Sequence, residues 1–233
     1  VTLGACIYSF GWNENEYDFL SSGSLAGHII ECGTQSTGGN FTDWEQVSEN
    51  LNNIGYPIVE IESNGLFTCT KSKSSSGIVN IGTVSEQMLY EIGDPQAYIL
   101  PDVICDFSNV ELIEIENNMI QVSGAKGYPS PSDYKVSVTY ADGFRGGHLC
   151  SFVGIDADKK AQVFGDAIFQ RSKTIMRAMN IPDFDETSVE VIGSNSQYST
   201  DIDEKYKNKE VVLKFAAKHE DIRAIGIMLK ESV

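Results

Sequence analysis

His28, Glu31 and Cys32 stand within five residues of one another in the stretch GHIIECG. On a helix they occupy positions i, i+3 and i+4 and share one face. That spacing can pair an imidazole with a carboxylate for proton transfer, or contribute to a metal site. The plainer alternative is a helix end with one polar pair and a small core cysteine. A helix C-terminus and a neighbouring carboxylate both suit a proton-donating imidazole. His28 and Glu31 are therefore read as a catalytic acid–base pair, with no metal site assigned.

The loop TQSTGGN follows directly. Hydroxyls, amides and two glycines make a surface whose backbone N–H groups can face an anion or a carbonyl. Gln35, Thr37, Gly38, Gly39 and Asn40 are substrate-binding candidates on that ground, whereas Asp43 reads as the N-cap of the next helix. A second anion candidate is TKSKSSSG, where Lys71, Ser76 and Gly77 precede a helix start with its free N–H groups. No GK[ST] follows, so it is not a nucleotide-binding P-loop. Glu86, Tyr90 and Glu91 fall at helical spacing, and Asp94 and Asp102 flank prolines, Asp94 as a helix stop. Lys126 and Arg145 lie among glycines, which let a ligand approach the backbone closely. His219 reads as no more than the start of a helix.

The elements that must position these groups belong to a globular chain. Of 233 residues, 41% are apolar and 21% charged, and a chain of this length buries roughly 70–75% of its unfolded surface. A net charge of −16 argues against nonspecific nucleic-acid binding, which needs a basic footprint. Five scattered cysteines with no CxxC pair read as reduced thiols, which places the protein in the cytoplasm. No apolar run approaches a membrane span. The chain opens without a methionine, directly in an apolar stretch, so a missing segment or a second chain is expected to complete it. A homo-oligomer is expected on the same ground.

The fold class read from the pattern is α/β in the α+β sense: a mixed sheet with flanking helices, then a ferredoxin-like β-α-β-β-α segment. Residues 1–130 form the first region, expected to begin upstream. Here lie a helix from Tyr17 to Cys32 stopped by Gly33 and a polar helix at Asp43–Ile54. A hairpin of PIVEI and LFTCT turns at Asn64-Gly65. A capping box at Thr83–Glu86 opens a further helix. DVICDF, VELIEIE and MIQVSG read as strands, the last two joined at Asn117-Asn118. The Gly- and Pro-rich Ser123–Asp133 marks a seam. Residues 131–233 form the second region: strands at YKVSVTYA and HLCSFVG, a helix at Asp156–Met179, strands at SVEVIG and EVVLKFAA, and a helix from Glu220. This is most of a split β-α-β unit, whose last strand would lie beyond Val233.

Three blocks carry a resemblance. LSSGSLAGHIIECGTQSTGGNFTDW, then YPIVEI…TK…SGIVNIGTVSEQMLYEIGDPQAYILPDVICDF, then VSGAKGYPSPSDYKVSV closely resemble the acyclic terpene utilisation family (AtuA-type) in the same order. The resemblance implies membership of a family whose proteins are usually longer, with a preceding α/β segment. It also implies a setting in the catabolism of citronellol and geraniol through acyl-CoA intermediates. It supplies no list of catalytic residues and no cofactor. Relatives tend to carry a proline and more glycine after the TK, where this chain reads SKSSSG, which weakens the anion reading there. Two classes of function follow: an enzyme acting on a branched acyl-CoA or related carboxylate by hydration, lyase or isomerase chemistry, or a non-catalytic, ligand-binding subunit of another enzyme.

Overall fold

Helix α1 (Thr2–Phe10) ends at Gly11, whose φ of 72° gives the left-handed cap, and leads into α2 (Tyr17–Glu31). Leu20, Leu25, Ala26 and Ile29 recur at helical spacing along α2 and are buried. Gly33 at φ 56° lets the chain turn away after α2, into a 3-10 turn at Gly33–Thr37. The structure, a computed structural model, describes residues 1–134, 136–194 and 210–233. It divides into two units, Val1–Ser137 and Val138–Val233.

The expected helix at Asp43–Ile54 is broken. A single turn, α3 (Trp44–Val47), passes into a 3-10 segment at Ser48–Asn53, interrupted at Asn50 with φ −136°. Serine and asparagine compete for backbone hydrogen bonds, and the run SENLNN gives a helix little support.

Strands β1 (Pro57–Ile61) and β2 (Phe67–Lys71) form the expected hairpin around Asn64-Gly65, with Gly65 at φ 85°. Helix α4 (Ile81–Leu89) follows. Its cap sits three residues earlier than Thr83–Glu86 implied. Asn80 is the N-cap, accepting from Thr83 N at 2.9 Å, while Thr83 Oγ1 accepts from Asn80 N at 3.1 Å. Asparagine fills the cap as well as threonine does, so the reciprocal pair forms one turn upstream.

Strands β3 (Tyr98–Ile99), β4 (Val103–Asp106), β5 (Glu111–Glu116), β6 (Met119–Ser123) and β7 (Lys126–Pro129) complete the first unit. They pair into two antiparallel sheets, of order β1-β2-β6-β5 and β3-β4-β7. Leu25 and Ile29 of α2 share one core with Phe67, Val103, Ile120 and Val122 from both sheets.

In the second unit, β8 (Phe144–Val153), α5 (Ala157–Ala178), β9 (Glu186–Ile192), β10 (Glu210–His219) and α6 (Ile222–Glu231) give a sheet of order β8-β10-β9. Because β10 is antiparallel to both neighbours, this is the split β-α-β arrangement. Val211, Leu213, Phe215 and Ala217 alternate along β10 and share a core with Ala161, Ile168 and Met228 of the helices. The strand expected at YKVSVTYA is not one: Val136–Ala141 pairs with nothing among the described residues. An alternating pattern becomes a strand only where an edge receives it. Taken together, helices and antiparallel sheets make the chain α+β.

Candidate functional site

The last carbonyls of a helix lack intrahelical partners. In α2, Gln87 Nε2 donates to His28 O at 2.7 Å and Ser36 Oγ to Ile29 O at 2.6 Å. These two caps fix the helix end that carries His28 and Glu31. The His28 side chain is 5% exposed and that of Glu31 62%, with Nδ1 3.4 Å from Oε2. No hydrogen bond forms across that gap, and neither ring nitrogen of His28 has a hydrogen-bond partner among the described residues.

Both side chains line a cleft of about 610 Å³, together with Ser24, Tyr98, Leu100 and Asp102. The Tyr98 ring lies 5.8 Å from the His28 ring, centroid to centroid, tilted by 57°. Burial, and then the Glu31, Cys105 and Glu91 charges, push the Tyr98 phenol above its usual value. Among the described residues, the cleft wall holds two carboxylates, Glu31 and Asp102, and no lysine or arginine.

The loop after α2 serves two purposes. Gln35 and Asn40 join Ser85, Glu86, Tyr90 and Glu91 around a second cleft of about 840 Å³, and Asn40 Nδ2 donates to Gln35 Oε1 at 2.9 Å. Thr37, Gly38 and Gly39 are instead turned into the fold. Thr37 Oγ1 lies 2.7 Å from Gly55 O. Gly38, at φ 83°, closes the 3-10 turn. A Cβ at Gly39 would stand 2.6 Å from Thr34 Cβ.

The Ser/Gly segment packs on the same loop from behind. Ser76 N donates to Asn53 O at 2.8 Å, Gly77 N to Ile54 O at 3.0 Å, and Ile78 N to Thr37 O at 3.0 Å. Lys71 Nζ donates to Ser75 O at 2.8 Å. Residues 71–82 do not line the cleft that Gln35 and Asn40 share. The other two basic candidates have acidic partners: Lys126 with Asp18 at 2.8 Å, and, in the second unit, Arg145 with Glu186 at 2.6 Å. His219 is satisfied on both sides, its Nδ1 accepting from Asp221 N at 2.8 Å and its Nε2 lying 3.2 Å from Pro182 O.

Tyr98 and Gln87 are the residues that sequence reasoning missed. Tyr98 lies within EQMLYEIGDPQAYILPDV, but no periodicity links it to His28. Gln87 sits beside Glu86 with nothing local to mark it. No group of three or more His, Cys, Asp or Glu placed to hold a metal ion occurs among the described residues. None of their helices is long and apolar enough to cross a membrane.

No curated protein and no solved structure matches this chain. One family's sequence model does, that of the acyclic terpene utilisation family protein AtuA, over residues 1–233. The match runs the whole length through both units, and it covers α2, the loop after it and the strand carrying Tyr98. The chain therefore belongs to the acyclic terpene utilisation (AtuA) family.

Proposed function

We propose that this chain performs acid–base chemistry on an acyclic terpenoid acyl group, presented as a branched acyl-CoA or the related carboxylate. In this reading, the His28 cleft takes the apolar, reacting part of the ligand. The observation that carries it is the His28 imidazole, buried but without a hydrogen-bond partner at either nitrogen among the described residues. A buried polar group left unsatisfied costs about 1–3 kcal/mol, a cost removed when a ligand supplies the missing partner. Glu31, 3.4 Å away, is placed to exchange a proton with the imidazole or to balance its charge. Hydration, elimination and double-bond isomerisation all need such a pair, and general acid–base groups contribute about 10²–10⁴ in rate.

Leu3, Ile30, Leu100 and Pro101 in the wall suit a branched hydrocarbon chain. Glu31 and Asp102 would repel a phosphate or a carboxylate, so the charged end of the ligand lies outside this cleft. Five free cysteines suit a reducing compartment, and we place the protein in the cytoplasm.

The test is a thermal-shift and NMR titration of the full-length protein with geraniol, citronellol, their acids and their CoA thioesters. A ligand that stabilises the protein and moves the His28 ring signals, with both effects lost in a folded His28→Ala variant, is the expected result. No response to any of them, or an equal response in the variant, overturns the proposal.

A further inference from the structure

We infer that Val136–Ala141 is the strand that completes the second unit's sheet, supplied by a second copy of the chain and paired along the free edge of β8. One observation is an edge without a strand. β8 runs ten residues along β10 in unbroken register, and among the described residues its other side has no neighbour in the sheet order β8-β10-β9. FRGGHLCSFV contains no proline, its one formal charge, Arg145, is paired with Glu186, and no bulge turns it aside. Those are the devices that normally protect an exposed edge.

The other observation is a strand without a sheet. Val136, Val138 and Tyr140 alternate with Ser137 and Thr139, a period-two pattern of β-branched and aromatic residues. They are 73%, 73% and 79% exposed, and none of the segment is paired. Its six residues could cover a little over half of the ten-residue β8 edge.

Pairing within one chain would need a hairpin over Asp142-Gly143, a two-residue connection of the favoured kind. In the structure, however, Asp142 Oδ2 is held 2.7 Å from Lys218 Nζ on β10. A Cβ at Gly143, whose φ is 74°, would stand 3.0 Å from His219 O. The chain thus reaches β8 from the β10 side, opposite the free edge. A segment from a second copy meets no such restraint, and mutual exchange is two-fold and closed.

The open face of the sheet is a poorer docking element. Arg145–Glu186 and Lys214–Glu190 pair there at 2.6 and 2.9 Å, so this face, which also carries Leu149 and Val153, is partly charged and already paired.

Light scattering on the eluting full-length protein, with hydrogen exchange on β8, tests the inference. The expected result is a dimer with slow exchange at the outward amides of β8. Val138→Pro, which removes a donor from an exposed position, is expected to abolish the dimer and the protection together. Val138→Thr, which keeps β propensity, is expected to retain both. A monomer at every concentration, or a dimer indifferent to Val138→Pro, overturns the inference. A monomer whose β8 edge is nonetheless protected also overturns it, in favour of the hairpin within one chain.

Discussion

Gln87 Nε2 donates to the carbonyl oxygen of His28 at 2.7 Å, joining α4 to the end of α2 across 59 residues of sequence. Gln87 is fully buried, and this bond holds the backbone from which the imidazole projects. Gln87→Leu leaves that carbonyl buried and unpaired, which costs about 1–3 kcal/mol. Urea unfolding is expected to show the loss, and the His28 ring resonances are expected to move in the folded variant. Unmoved resonances would remove Gln87 from any positioning role.

Tyr98 and Glu31 are coupled through the same cleft. Burial is the main reason the phenol is raised, and the Glu31 carboxylate adds to it by disfavouring a second negative charge. Glu31→Gln removes that charge, so Tyr98 is expected to ionise at lower pH in the variant. Tyrosinate absorbance, with Tyr98→Phe identifying the contribution of this residue, checks the direction.

Asp221 caps α6, accepting from Arg223 N at 2.8 Å. Hydrogen bonds from the Arg223 side chain and backbone lower its carboxyl to about 2. Because the folded value is depressed, the contribution to stability is present above the unfolded value and is lost as pH falls toward 2. Asp221→Asn keeps a good cap but removes the charge. Its melting temperature is expected to be lower than the parent's near neutrality and to converge with it in acid. A constant difference across that range would reject the assignment.

Gly77 has no room for a side chain, since a Cβ would stand 2.5 Å from Ile54 O and 2.7 Å from Thr37 O. Both neighbours are backbone and cannot swing aside. Gly77→Ala is expected to destabilise by about 1–3 kcal/mol, as overpacking does. Gly93→Ala, where nothing lies within 4 Å, is the control and is expected to be neutral or slightly stabilising. Equal melting temperatures for the two variants would place Gly77 in open space.

What the sequence determined by itself was set by short-range rules. The apolar spacing of Leu20 to Ile29, the stop at Gly33, the turns at Asn64-Gly65 and Asn117-Asn118, and the β-α-β order after Phe144 depend on sterics and pairing within a few residues. The neighbourhood of His28 and Glu31 was legible for the same reason, because helical spacing alone makes them adjacent. Only the tertiary structure decided that Tyr98 lies beside His28 and that Gln87 holds its carbonyl. It also decided that Thr37, Gly38 and Gly77 serve packing, while Gln35 and Asn40 reach a cleft. Those outcomes follow from how α4 and the short sheet of β3, β4 and β7 settle on α2, and no periodicity in the intervening residues records it. The cap at Asn80 and the unpaired Val136–Ala141 stand on the two sides of that divide. Asn80 and Thr83 settle the cap locally, three residues apart, whereas the pairing of Val136–Ala141 depends on an edge brought to it by other elements.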